Sequence, residues 1–94
     1  MRIITRSPGF KRELKKFIKN NPRLYERIEE TLEEMLKDPF TPFLETHKLG
    51  GKYKGILSCS CGYDCRILFH IEQDSQSGNE TVLLLSIGTH DAVY

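Results

Sequence analysis

Apolar positions recur along this chain with two periods, a helical one in the first half and a strand-like one from Tyr53 onward. Residues 2–6 carry the pair Ile3 and Ile4 and stop at Ser7-Pro8, which predicts a short first strand. Ser7 then reads as a helix N-cap with Pro8 at the first helical position, where its missing N–H costs nothing. Phe10, Leu14, Phe17 and Ile18 fall at the spacing of one buried helix face, leaving the lysines on the other side. Asn20-Asn21-Pro22 ends that helix and starts a second with Asn21 as its cap. Leu24, Ile28, Leu32, Met35 and Leu36 make the second stripe, which stops before Pro39. The stretch 38–46, with two prolines and two phenylalanines, reads as a packed connection crossing to the sheet.

The strand half predicts Tyr53 to Ser60 and Asp64 to Ile71 as a hairpin around Gly62, a polar turn over 72–79, and a further strand from Glu80 to Ile87. Val82, Leu83, Leu84 and Leu85 do not alternate with polar residues, so that strand is expected to be central and buried on both faces. No repeat, linker or low-complexity stretch is visible, and 94 residues suffice for one core only, so residues 1–94 are read as a single domain.

Composition narrows the class. With 38% hydrophobic and 29% charged residues the chain reads as an ordinary soluble globular domain. No run approaches the ~18 apolar residues of a membrane span, and the opening MRIITRSPGF lacks a long apolar stretch before a small-residue cleavage site. The expectation is a cytoplasmic protein with no membrane partner. Cys59, Cys61 and Cys65, an odd number within seven positions, suggest reduced thiols rather than a disulfide framework. A zinc set of the three cysteines with one histidine is the minor reading, because structural zinc sites favour two-residue gaps and separated ligand pairs; small hydrophobes within the hairpin is the major one.

A net charge of +1 is too small for a protein that grips free nucleic acid by bulk electrostatics. It conceals two opposed patches, Lys11, Arg12, Lys15, Lys16 and Lys19 followed by Glu26, Glu29, Glu30, Glu33 and Glu34. Solvated helix faces account for such runs as readily as a binding surface does.

The residues able to do acid–base chemistry come late: His47, Asp64, Arg66, His70 and His90, with Tyr94 at position 94. Period two along a strand places Asp64, Arg66, Leu68 and His70 on one face. Three stretches carry a resemblance spanning nearly the whole chain: His47-Lys48-Leu49-Gly50-Gly51 with Tyr53-Lys54-Gly55; Gly62-Tyr63-Asp64-Cys65-Arg66-Ile67-Leu68-Phe69; and Ile87-Gly88-Thr89-His90-Asp91-Ala92-Val93-Tyr94. In these the chain resembles the RelE/ParE superfamily of toxins, its YafQ-like branch in particular. The resemblance implies an α+β fold of β-α-α-β-β-β order, two antiparallel helices packed on a small, mainly antiparallel four-stranded sheet.

It also implies a site. His47, Asp64, His90 and Tyr94 match residues of the YafQ-like active site, and Arg66 matches the arginine that supports the phosphate in RelE-like toxins. A second family histidine would fall at Ser60, so one member of the set is missing. RNA cleavage by its own 2′-hydroxyl needs a base for that proton, a cation for the crowded phosphorane and an acid for the departing 5′-oxygen. Histidine, with an unperturbed pKa of ~6.5, suits the acid role. The resemblance therefore gives His90 as general acid, Asp64 or His47 as general base, Arg66 as phosphate stabiliser and Tyr94 as a stacking platform, while Lys48, Lys52 and Lys54 join helix one against ribosomal RNA. Bland readings stand beside these: Arg66 as the ion-pair partner of Asp64 or of a glutamate of helix two, Tyr94 as a hydrophobic anchor, and His70 as structural or solvent-facing.

The implied protein is an endoribonuclease toxin that cuts messenger RNA on the ribosome and is held by a cognate antitoxin in a hetero-oligomer, with no cofactor. Two other readings remain open. A ParE-like toxin shares the fold and binds gyrase without the nuclease residues; a degenerated toxin binds antitoxin and regulates their promoter, a reading kept alive by Ser60.

Overall fold

The computed structural model describes residues 1–89. Its elements are β1 (Arg2–Arg6), α1 (Pro8–Asn20), α2 (Tyr25–Lys37), β2 (His47–Lys48), β3 (Leu57–Ser60), β4 (Arg66–Gln73) and β5 (Glu80–Gly88), with 3-10 turns at Pro22–Leu24, Pro42–Leu44 and Gly51–Tyr53. This is an α+β fold, two helices packed on a mainly antiparallel sheet.

The helix starts and stops follow local chemistry. The Ser7 hydroxyl accepts from the Phe10 N–H at 3.0 Å, and Phe10, Leu14 and Phe17 are buried. Asn21 does not cap the second helix, as its position suggested. Its side-chain Nδ2 donates to the Phe17 carbonyl at 3.1 Å, so it closes α1 instead. The chain then makes the 3-10 turn Pro22–Leu24, and Leu24 enters α2 without a side-chain cap. On α2, Ile28, Leu32 and Met35 are buried, whereas Leu36 is 46% exposed. At 3.6 residues per turn Leu36 sits about 80° around the helix from Ile28, at the margin of the apolar stripe. Thr31 takes the vacant core position, its hydroxyl donating to the Arg27 carbonyl at 2.8 Å.

The sheet has five strands in the order β1-β5-β4-β3-β2, where four were expected. The extra strand is β2, in which His47 pairs with Ser58 and Lys48 with Leu57. Two residues are too short to show a period in sequence. The predicted strand from Tyr53 begins only at Leu57, because the 3-10 turn Gly51–Tyr53 and Gly55, with φ 86°, bend the chain first. β1 runs parallel to β5, from Arg2 opposite Glu80 to Arg6 opposite Leu84, and the other pairings are antiparallel. β5 is central, but its burial alternates: Val82 and Leu84 are buried while Leu83 and Leu85 stay partly exposed, since the helices cover one face only.

The core joins Phe10, Ile28 and Met35 of the helices to Cys59, Ile67, Phe69, Val82 and Leu84 of the sheet. No described helix is long and apolar enough to cross a membrane.

Candidate active site

β3 and β4 meet at a turn over residues 61–65, and this turn organises the site. Cys61 and Cys65 are joined in a disulfide, which corrects the expectation of three reduced thiols. The hairpin explains it: the Cys61 N–H donates to the Cys65 carbonyl at 2.9 Å and the Cα atoms stand 5.0 Å apart, inside the usual disulfide range of ~4.4–6.8 Å. Cys59 remains a free thiol in the core. Among the described residues no group of three or more His, Cys, Asp or Glu is placed to hold a metal ion.

Asp64 lies within the turn, not on the strand, exposed and with φ 51°, a left-handed conformation that aspartate tolerates. Arg66 opens β4, half-buried, with Nη1 donating to the Cys65 carbonyl at 3.0 Å. It is directly opposite Ser60, and Ser58 is opposite Leu68, so these four side chains share one face of the sheet. His47, opposite Ser58, joins that face, while Lys48 turns to the other with Leu57.

Two adjoining clefts result. One, of about 580 Å³, is lined by Arg27, Glu45, Ser60, Gly62, Tyr63, Asp64 and Arg66. The other, of about 120 Å³, is lined by Glu45, His47, Ser60 and Arg66. The Arg66 guanidinium thus borders both, with Asp64 on one side and His47 on the other. The His47 Nδ1 is 3.2 Å from the Glu45 carbonyl. A carbonyl only accepts, so this contact assigns the proton to Nδ1 and leaves Nε2 of the neutral ring as an acceptor. Ser60, where the resemblance leads one to expect a histidine, donates from Oγ to the Gly62 carbonyl at 3.3 Å and so ties the turn.

The lysines separate. Lys48 and Lys54 rim a different groove of about 540 Å³ with Phe40, Leu49, Leu57, His70 and Ile71 among its walls. Lys52 is exposed, its Nζ 5.3 Å from the Tyr53 ring centre. His70 is a strand residue whose Nδ1 lies 3.0 Å from the Gly55 carbonyl. The basic residues of α1 are exposed along its outer side. His90 and Tyr94 lie outside the described residues.

Three cleft residues carried no sequence signal as site members. Arg27 and Glu45 reach the cleft only through tertiary packing of α2 and the 3-10 turn Pro42–Leu44. Tyr63 stands inside a quoted motif, between Gly62 and Asp64, and is 96% exposed.

The profile of a family described as the ParE toxin of the type II toxin-antitoxin system, parDE, matches residues 4–94. No curated protein matches the chain in sequence. Among solved structures, YafQ from E. coli strain BL21(DE3) is 14% identical, with 100% of this chain and 99% of that chain covered and a TM-score of 0.75. The conserved hypothetical protein HP0894 from Helicobacter pylori is 22% identical over 100% of both chains, with a TM-score of 0.74. The E. coli DinJ-YafQ toxin-antitoxin complex gives 15% identity, 99% and 97% coverage, and a TM-score of 0.72. These likenesses establish a shared fold.

Proposed function

The chain belongs to the ParE toxin family of type II toxin–antitoxin systems, within the RelE/ParE superfamily, and from that premise we propose that it is a ribosome-dependent endoribonuclease neutralised by an antitoxin. The observation that carries this reading is Arg66 standing between two clefts, one walled by His47 and the other by Asp64. A phosphate placed on that guanidinium has a candidate proton acceptor on either side. His47 Nε2, or alternatively the Asp64 carboxylate, takes the proton of the 2′-hydroxyl as its oxygen bonds to phosphorus. Arg66 stabilises the charge of the phosphorane. The bond to the 5′-oxygen breaks, and an acid protonates that oxygen, giving a 2′,3′-cyclic phosphate and a 5′-hydroxyl. We assign the acid to His90, which follows Gly88 by two residues; Gly88 is the register partner of Arg66. Tyr94 is assigned as a stacking platform for a splayed base. The modest net charge suits a protein that relies on the ribosome to present its substrate, with the lysines of α1 and Lys48, Lys52 and Lys54 as contacts to ribosomal RNA. The antitoxin partner is supported by the solved relative that is itself a toxin–antitoxin complex. Cytoplasmic location follows from a ribosomal target.

A second reading, a toxin directed at gyrase, is favoured by the description of the family whose profile matches and by Ser60 replacing the family histidine. One experiment separates them. Purified protein is given to translating ribosomes, to naked messenger RNA and, separately, to gyrase supercoiling plasmid. Cleavage confined to ribosomes, with cyclic phosphate ends and a loss of at least 100-fold in Arg66→Ala and His90→Ala, is the expected result. Inhibited supercoiling without cleavage, or cleaved ends carrying a 3′-hydroxyl, overturns it.

A further inference from the structure

The larger cleft holds a second arginine and an exposed ring for which the cleavage chemistry has no use. Arg27 projects from α2 with its Cζ 4.6 Å from the centre of the Phe43 ring, a cation–π contact that holds the guanidinium over that ring. Its stem passes over Gly62, where a Cβ would lie in ordinary contact, 3.4 Å from Arg27 Cγ, and where φ of 128° is what calls for glycine. Among the described residues the Arg27 guanidinium makes no ion pair and no hydrogen bond, so its donors are open to a ligand. Tyr63, beside it on the turn, presents a nearly fully exposed ring, which the core does not need. At about 580 Å³ the cleft is within the ~300–1,000 Å³ typical of small-molecule sites.

We propose that Arg27, Tyr63 and Arg66 form a nucleotide subsite for single-stranded RNA, Arg27 holding the phosphodiester that neighbours the scissile one and Tyr63 stacking the base between them. The proposal rests on the ribonuclease reading for its ligand, and the cleft for its geometry. A bidentate guanidinium pre-oriented by an aromatic ring suits a phosphate, and a stacking ring accepts any base. Glu45, in the wall of the same cleft, opposes the anion and limits affinity. The subsite is therefore weak alone and serves to set the register of a strand that the ribosome delivers.

The test uses a fluorescein-labelled RNA decamer made uncleavable by 2′-O-methylation, so binding is read independently of catalysis. Its affinity for the whole protein is measured by anisotropy over a range of salt. Arg27→Gln is expected to weaken binding about tenfold and to reduce the slope of log affinity against log salt by about 0.7, the value of one phosphate contact on a single strand. Arg27→Lys keeps the slope but loses the bidentate geometry. Tyr63→Ala, at a position too exposed to affect folding, weakens binding about tenfold with the slope unchanged. Glu45→Gln tightens it by two- to fivefold. Absence of wild-type binding at millimolar RNA, or a wild-type salt slope in Arg27→Gln, overturns the subsite even if the ribosomal cleavage assay is positive. Intact binding with no ribosomal cleavage leaves the subsite standing and removes the nuclease reading.

Discussion

Cys59 illustrates what one buried atom does to the pH response of this protein. Burial pushes its thiol up to about 12 from the ordinary 9.0, against the pull of the Arg66 charge and a backbone hydrogen bond at Ile67. The native state thus holds a proton that the unfolded chain releases above pH ~9, and stability falls as pH rises through the interval between the two values. Up to about 1.4 kcal/mol is lost per pH unit there. Urea midpoints measured from pH 8 to 10.5 should decline for the wild type more steeply than for Cys59→Ala; parallel curves would deny the burial effect. At this scale position follows from type and spacing where a strand is regular. Arg66 and Leu68 share the face that a period of two gives them, and Cys59 is the small core hydrophobe expected of it. Periodicity puts Asp64 on a strand that in fact begins two residues later at Arg66, and spacing hides the Cys61–Cys65 bond, because both depend on how tightly a five-residue turn closes. Arg27 and Glu45 were invisible for a similar reason: their role comes from elements distant in the chain.

Arg2 joins three elements at once. Its Nε donates to Glu80 Oε1 at 2.5 Å, tying β1 to β5, and its Nη1 donates to the carbonyls of Leu36 at 2.9 Å and Lys37 at 2.7 Å, closing the last turn of α2 with a cation where the helix dipole favours one. The Arg2 guanidinium, through this hydrogen bond, holds the Glu80 carboxyl below its usual range, with a smaller contribution from Gln73. The pair consequently adds stability at neutral pH that is lost as pH falls through the carboxylate range. Arg2→Ala is expected to cost about 2 kcal/mol at pH 7 in urea unfolding and less at pH 3, where only the bonds to the Leu36 and Lys37 carbonyls remain to be lost. An equal cost at both values would show that Glu80 contributes nothing. Elements with a strong period and clear caps, α1 and β5 above all, were readable from sequence to within a residue or so. β2 and the 3-10 turns are not, because two or three residues hold no period, and the stripe predicts Leu36 as core because a stripe in sequence does not reveal where the covering surface ends.

The molecule as a whole is closed by its most distant contact. Four strands from the second half of the chain form an antiparallel ladder by local pairing, and β1 is added beside β5 across more than seventy intervening residues. The order strand, helix, helix, strands was visible in the sequence, and the family resemblance supplied the antiparallel character. The parallel placement of β1 was not legible, since no local signal marks a partner so far away. Pairing of this range slows folding, so refolding from urea should proceed in milliseconds to seconds rather than microseconds. A fragment of residues 1–78, lacking β5, should show little helix by circular dichroism, for α1 packs on the absent strand; a cooperative native-like melt for that fragment would contradict this account.

β5 is the last of the five described strands to be made, and β1, α1 and the register that sets Gly88 beside Arg66 all wait for it. On the function proposed above, a ribosome translating this message carries an unassembled and harmless chain until β5 has emerged. The order of translation then shields the machine that makes the poison for as long as that strand is unmade.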